Sequence, residues 1–123
     1  MAKTQKQSAA LKLLTEYRPA LWRKSAFEAV PGSKSKAHLV CLEQIRLTQE
    51  LAEALKADER LGEKLYRIIH VTYMTDKQPG DVDEILDDIA GRYGRVPRRT
   101  YFRLKKRAIE IMDARMEEKP SSG

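Results

Sequence analysis

Apolar residues recur at helical spacing through most of the chain, and no segment shows convincing strand alternation. Leu11, Leu14, Leu21 and Trp22 mark a first helix after a polar, frayed stretch from Met1 to Gln7. Pro19 lies inside it, where it removes a backbone donor and crowds the preceding turn, so a kink or break is expected near Arg18. Pro31-Gly32-Ser33 is turn chemistry and closes this segment. Ser35 to Ala57 reads as a second helix through Leu39, Leu42, Ile45, Leu51, Ala52 and Leu55, with Val40 and Leu47 widening the stripe. So broad an arc has two readings, a second face of the internal core or a homodimer interface, and the first is the simpler. Leu61, Leu65, Ile68, Ile69 and Thr72 place a third helix over Glu59 to Met74.

Thr75 to Gly80 is a loop carrying the turn signal Pro79-Gly80. Asp81 then stands as N-cap with Glu84 three residues on, the spacing of a capping box. The short helix that follows buries Val82, Ile85, Leu86, Ile89 and Tyr93. Gly94 is placed to end it in a left-handed conformation, and Pro97 to open a last helix reaching about Glu117. The expected fold is all-α, a helical bundle with a C-terminal helix-turn-helix. Residues 1–57 form a helical region for oligomerisation or partner docking, 58–118 the helix-turn-helix domain and 119–123 a polar tail.

Charge changes this picture from a generic bundle to a candidate binder of polyanions. The 123 residues carry a net charge of +6. The cations are concentrated: Arg95, Arg98, Arg99, Arg103, Lys105, Lys106 and Arg107 follow one another with no carboxylate between them. Asp76, Asp81, Asp83, Glu84, Asp87 and Asp88 lie just upstream with the opposite sign. A basic helix held on a small helical support is the electrostatic footprint of a groove-binding module. No apolar run is long enough to cross a bilayer and no signal-peptide core follows Met1. The single Cys41 forms no internal disulfide. A cytoplasmic protein acting away from the membrane is therefore expected.

In the helix-turn-helix reading, Ala90 is small where the two helices approach, and Gly94 supplies the turn. Tyr101, Leu104, Ala108, Ile111 and Met112 form an inward stripe, which leaves Arg98, Arg99, Phe102, Arg103 and Lys106 outward near the helix start. That part of the second helix meets base edges in this motif. Arg99 and Arg103 share a face and are each placed to reach guanine O6 and N7, and Phe102 a thymine methyl. Thr100 and Lys106 suit either base or phosphate, while Arg95, Lys105 and Arg107 suit phosphate.

Arg99-Thr100-Tyr101-Phe102-Arg103-Leu104-Lys105-Lys106-Arg107-Ala108 resembles the C-terminal signature of the ArpU-type phage transcriptional regulators. The helix ending Thr72-Tyr73-Met74, together with Ile85 and Ile89-Ala90, is similar to that family as well. The family is in turn similar to the fourth region of sigma factors, whose helix-turn-helix reads a promoter element. The resemblance runs from about Leu61 to Met112. It implies a phage- or prophage-encoded regulator of late or lysis genes in a bacterial host cell. It carries over Arg99, Thr100, Arg103 and Lys106 as DNA-facing, supported by Tyr101, Leu104 and Ala108. Two departures stand out. Pro97 occupies the position where the family has a serine, and the turn Gly94-Arg95-Val96 is one residue longer.

Other chemistry is thinly supported. His38 and Cys41 are three apart and His70 is remote, short of a zinc ligand set. Asp83, Glu84, Asp87 and Asp88 read as a solvated acidic face favoured by the helix dipole rather than a metal cluster. There is no nucleophile elbow and no phosphate-cradling glycine loop, so neither an enzyme nor a cofactor is expected. Trp22 and Phe27 are core or docking aromatics. Tyr17, Arg18, Arg23 and Lys24 give the first helix a basic aspect suited to anionic lipid, but Pro19 interrupts it. The reading that results is sequence-specific binding of double-stranded DNA in transcription regulation. The alternatives are a module docking on RNA polymerase or a phage packaging enzyme with weak DNA affinity of its own, and the DNA-recognition subunit of a packaging terminase.

Overall fold

The structure, a computed structural model, describes residues 8–30, 35–75 and 78–118. The frayed start, the Pro31-Gly32-Ser33 turn, Asp76 and the polar tail lie outside the described residues. The described residues form five α-helices: α1 Ala9–Glu28, α2 Lys36–Ala54, α3 Gly62–Ile69, α4 Val82–Tyr93 and α5 Arg98–Glu118. A 3-10 turn, Leu55–Ala57, extends α2, and a π turn, His70–Met74, extends α3. Among the described residues there is no strand, and no helix is long and apolar enough to cross a membrane.

The helix starts are set by short polar side chains. Ser8 Oγ accepts from the Leu11 N–H at 3.0 Å and Ser35 Oγ from the His38 N–H at 3.1 Å. Asp81 accepts from the Glu84 N–H at 3.1 Å while Glu84 accepts from the Gly80 N–H at 2.9 Å, so the box reaches back to the residue before its N-cap. The third helix begins at Gly62, not Glu59, because the Asp58 carboxylate accepts from the N–H groups of Arg60 and Leu61 at 2.9 and 2.8 Å and holds those residues in a turn. Those two bonds favour the charged carboxylate and lower its pKa.

Helix α1 is continuous through Pro19. The lost hydrogen bond is outweighed by packing on both sides of it: Leu14, Tyr17 and Ala20 are all buried. Helix α2 lies antiparallel on α1, with Gln49 donating to the Tyr17 hydroxyl at 2.8 Å, Cys41 donating to the Ala20 carbonyl at 3.1 Å, and Phe27 stacked on His38 at 4.9 Å. The core side of α2 is Cys41, Ile45, Thr48, Ala52 and Leu55. Leu39 and Val40, expected within its apolar stripe, are 52% and 53% exposed, because α1 covers one side only. Trp22 is 78% exposed, on the side of α1 turned away from α2, so it is not a core residue.

Helix α5 ties the chain together. Tyr101, Leu104, Ala108 and Met112 are buried on one stripe and join α1, α2, α3 and α4 residues in a single core. Tyr101 is 1% exposed, and its hydroxyl shares a 2.9 Å hydrogen bond with Thr72 of the π turn. Helix α1 runs antiparallel to α5 and is fixed at two points. The Asp113 carboxylate accepts from Ser8 Oγ at 2.7 Å and from the Ala10 N–H at 2.9 Å, an anion at a helix start. Halfway along α1, the Arg18 guanidinium donates to the Thr72 and Thr75 carbonyls at 3.2 and 2.9 Å and to Thr75 Oγ1 at 3.0 Å. It thereby closes the carbonyl end of the α3 helix and its π turn. The described parts of the N-terminal helical region and of the C-terminal region from Asp58 thus share one core.

Two glycines of opposite environment test this packing. A Cβ on Gly62 would stand 2.7 Å from the Lys56 carbonyl oxygen and 2.8 Å from that of Leu55, whereas on Gly91 it would meet nothing within 4 Å. Gly62→Ala is expected to lower stability by about 1–3 kcal/mol, and Gly91→Ala to raise it by about 0.5–1 kcal/mol. Urea denaturation of both variants checks the pair. His70 offers a second test. Burial, and then the positive charge of Arg67, hold its pKa below the usual value, with Lys56 and Arg18 adding to the effect and Asp88 opposing it. Its Nδ1 has no hydrogen-bond partner among the described residues. The unfolded chain therefore takes up this proton first. Stability should fall as pH drops below about 6.5, and His70→Gln should flatten that slope between pH 7 and 5 in the same denaturation assay.

Candidate nucleic-acid interface

With Tyr101, Leu104, Ala108 and Met112 turned inward, helical geometry directs Arg99, Arg103 and Lys106 away from the core. All three are exposed, as are Arg95, Arg98 and Arg107. Among the described residues only Arg98 of these six is ion-paired, to Asp83 at 3.3 Å. Thr100 is half-buried beside them, and Phe102 is 43% exposed with its ring edge against Tyr101 at 5.0 Å. Lys105 differs from the other cations. It is half-buried, with its ammonium 5.5 Å from the Phe102 ring, 5.8 Å from Tyr73 and 5.9 Å from Tyr101, and burial lowers its pKa. A residue expected to serve as a free phosphate contact thus stands in an aromatic surround.

The turn before α5 is built by Gly94 and Val96. Gly94 has φ +87° and ψ 173°, so it is not in the left-handed helical region expected for it. Its φ is still one that side-chain-bearing residues rarely adopt, and its N–H donates to the Ala90 carbonyl at 3.1 Å. Val96 is buried and pins the turn to the core. Pro97 stands one residue ahead of α5, not in its first turn, and its carbonyl accepts from the Tyr101 N–H at 2.9 Å.

The acidic residues of α4 are largely engaged. Asp81 and Glu84 hold backbone N–H groups, Asp83 meets Arg98, and Asp88 accepts from Arg67 Nε at 2.9 Å and Nη2 at 3.1 Å. That two-pronged pair fastens α4 to α3, with Tyr93 donating to the Glu63 carbonyl at 3.3 Å alongside. Among the described residues no group of three or more His, Cys, Asp or Glu is placed to hold a metal ion. Sequence reasoning missed the parts played by Arg18 and Arg67. Their partners lie up to 57 and 21 residues away, and no local spacing signals them.

A comparison with protein-family models, curated proteins and solved structures finds no match to this chain.

The Arg67–Asp88 pair is partly shielded, so its coupling should be measurable. A double-mutant cycle with Arg67→Ala and Asp88→Ala is expected to give about 0.5–1 kcal/mol, shrinking in high salt.

Proposed function

We propose that this chain binds double-stranded DNA in a sequence-specific way, with α4, the Gly94–Pro97 turn and α5 acting as a helix-turn-helix. The observation that carries the reading is the outward row Arg99, Arg103 and Lys106, flanked by Arg95 and Arg107. These are exposed cations without ion pairs among the described residues, on a helix whose opposite side is locked into the core. The span from Arg98 to Arg107 is roughly 15 Å long, enough to lie within a major groove about 12 Å wide. Arg99 and Arg103 read base edges, Phe102 adds apolar contact, and Arg95, Lys106 and Arg107 meet phosphate. The uptake of Asp83 and Asp88 by arginines lessens the repulsion that α4 would offer a polyanion. The resemblance to ArpU-type regulators adds the setting: transcription control of late or lysis genes, phage- or prophage-encoded, in the cytoplasm of a bacterial host. RNA polymerase would be a partner on the same promoter, and a homodimer would imply paired half-sites.

Selection from a randomised duplex pool by the purified protein at near-physiological salt should enrich a motif without polymerase present. Arg99→Glu with Arg103→Glu should abolish retention, and Arg99→Ala alone should relax preference at one position by about tenfold or more. Lys106→Ala should instead weaken binding to all sequences and flatten the salt slope by about one unit. Retention unchanged by the double charge reversal would refute the reading. Retention without an enriched motif would move the function to docking on polymerase or a packaging enzyme.

A further inference from the structure

On the flank of α5 that faces α1, a cleft of about 470 Å³ opens between α1, the π turn, the loop at Pro79 and the first turns of α4 and α5. Its size falls among sites for small molecules, which run from about 300 to 1,000 Å³. Its walls include apolar and flat groups, among them Pro19, Tyr73, Pro79 and Phe102.

Two cations from different elements also line it, Arg18 of α1 and Lys105 of α5. Among the described residues neither forms an ion pair. The guanidinium of Arg18 is held by the neutral oxygens of Thr72 and Thr75, and the Lys105 ammonium lies over three rings. Burial lowers the pKa of both, so each charge is destabilised where it stands. Asp81 also lines the cleft, but its carboxylate is turned to the Glu84 N–H as the cap of α4. Among the described residues that line the cleft, the charge left over is positive, and its surroundings are aromatic.

We propose that this cleft binds a small, flat organic carboxylate, with the carboxylate between Arg18 and Lys105 and the ring body against Tyr73 and Phe102. Such a ligand supplies the missing negative charge and fills the apolar wall, and a neutral molecule of the same shape does only the second. The site stands on the cleft and its cations, whether or not α5 reads DNA.

The test titrates the full chain with 1-naphthoate and with 1-naphthylmethanol, the same ring system without the charge, by calorimetry and by amide chemical-shift mapping. Naphthoate should bind about tenfold or more tightly than the alcohol. Its shifts should cluster at Thr15, Tyr73, Phe102 and Lys105. Lys105→Gln should bring the two affinities together, and Lys105→Arg should keep them apart. Equal affinities in the natural chain, shifts centred elsewhere such as around Trp22, or no binding up to the solubility limit would each overturn the proposal. The comparison on the natural chain decides the matter even if Lys105→Gln does not fold.

Discussion

The buried ring of Tyr101 and its hydroxyl bond to Thr72 set the rotation of α5, and most of the molecule's surface chemistry follows from that rotation. Burying such a side chain is worth about 1.5–3 kcal/mol, and its hydroxyl must then find a partner, which limits where it can sit. Thr72 supplies that partner from the π turn at the end of α3. Once Tyr101 is placed, Leu104, Ala108 and Met112 follow inward at helical spacing, and the arginines between them have only the outside to occupy. The basic face is thus a consequence of packing as much as of composition.

The N-terminal half is held to this arrangement by a reciprocal exchange of helix ends. An acid from α5 accepts from the Ala10 N–H and the Ser8 hydroxyl at the start of α1, and an arginine from α1 donates to the carbonyls at the end of the α3 segment. Each places a full charge against the backbone partial charge that suits it. The two contacts lie at opposite ends of the α1–α5 pairing, so they fix the register of α1 along α5 as well as its direction. Together they bring Arg18 and Lys105 to the same cleft.

Local rules made much of the fold legible in the sequence. The Asp81 and Glu84 pair marks the start of α4, Gly94 its end, and the three-four spacing of Tyr101, Leu104, Ala108 and Met112 the inward side of α5. What escaped was whatever depends on distant residues. Pro19 reads as a break until the packing of Leu14, Tyr17 and Ala20 is known. Leu39 and Val40 read as part of a stripe covered by the core or by a second copy, because periodicity shows that a face is apolar and not what covers it; within the chain both are exposed. The outward placing of Arg99, Arg103 and Lys106 was legible for the same reason as the stripe opposite them. The half-buried setting of Lys105 was not, since it depends on Tyr73 and on the cleft beside α1.

Trp22 is the single tryptophan of the chain and stands almost wholly in solvent. Its indole is hydrated before the protein unfolds as well as after. Intrinsic emission therefore reports little of whether the core is intact, and a loss of structure around Tyr101 would pass nearly unseen by it. The same fluorophore is a clean witness to the outer side of α1, where any molecule that covers the ring must shift its emission toward the blue while the interior stays silent.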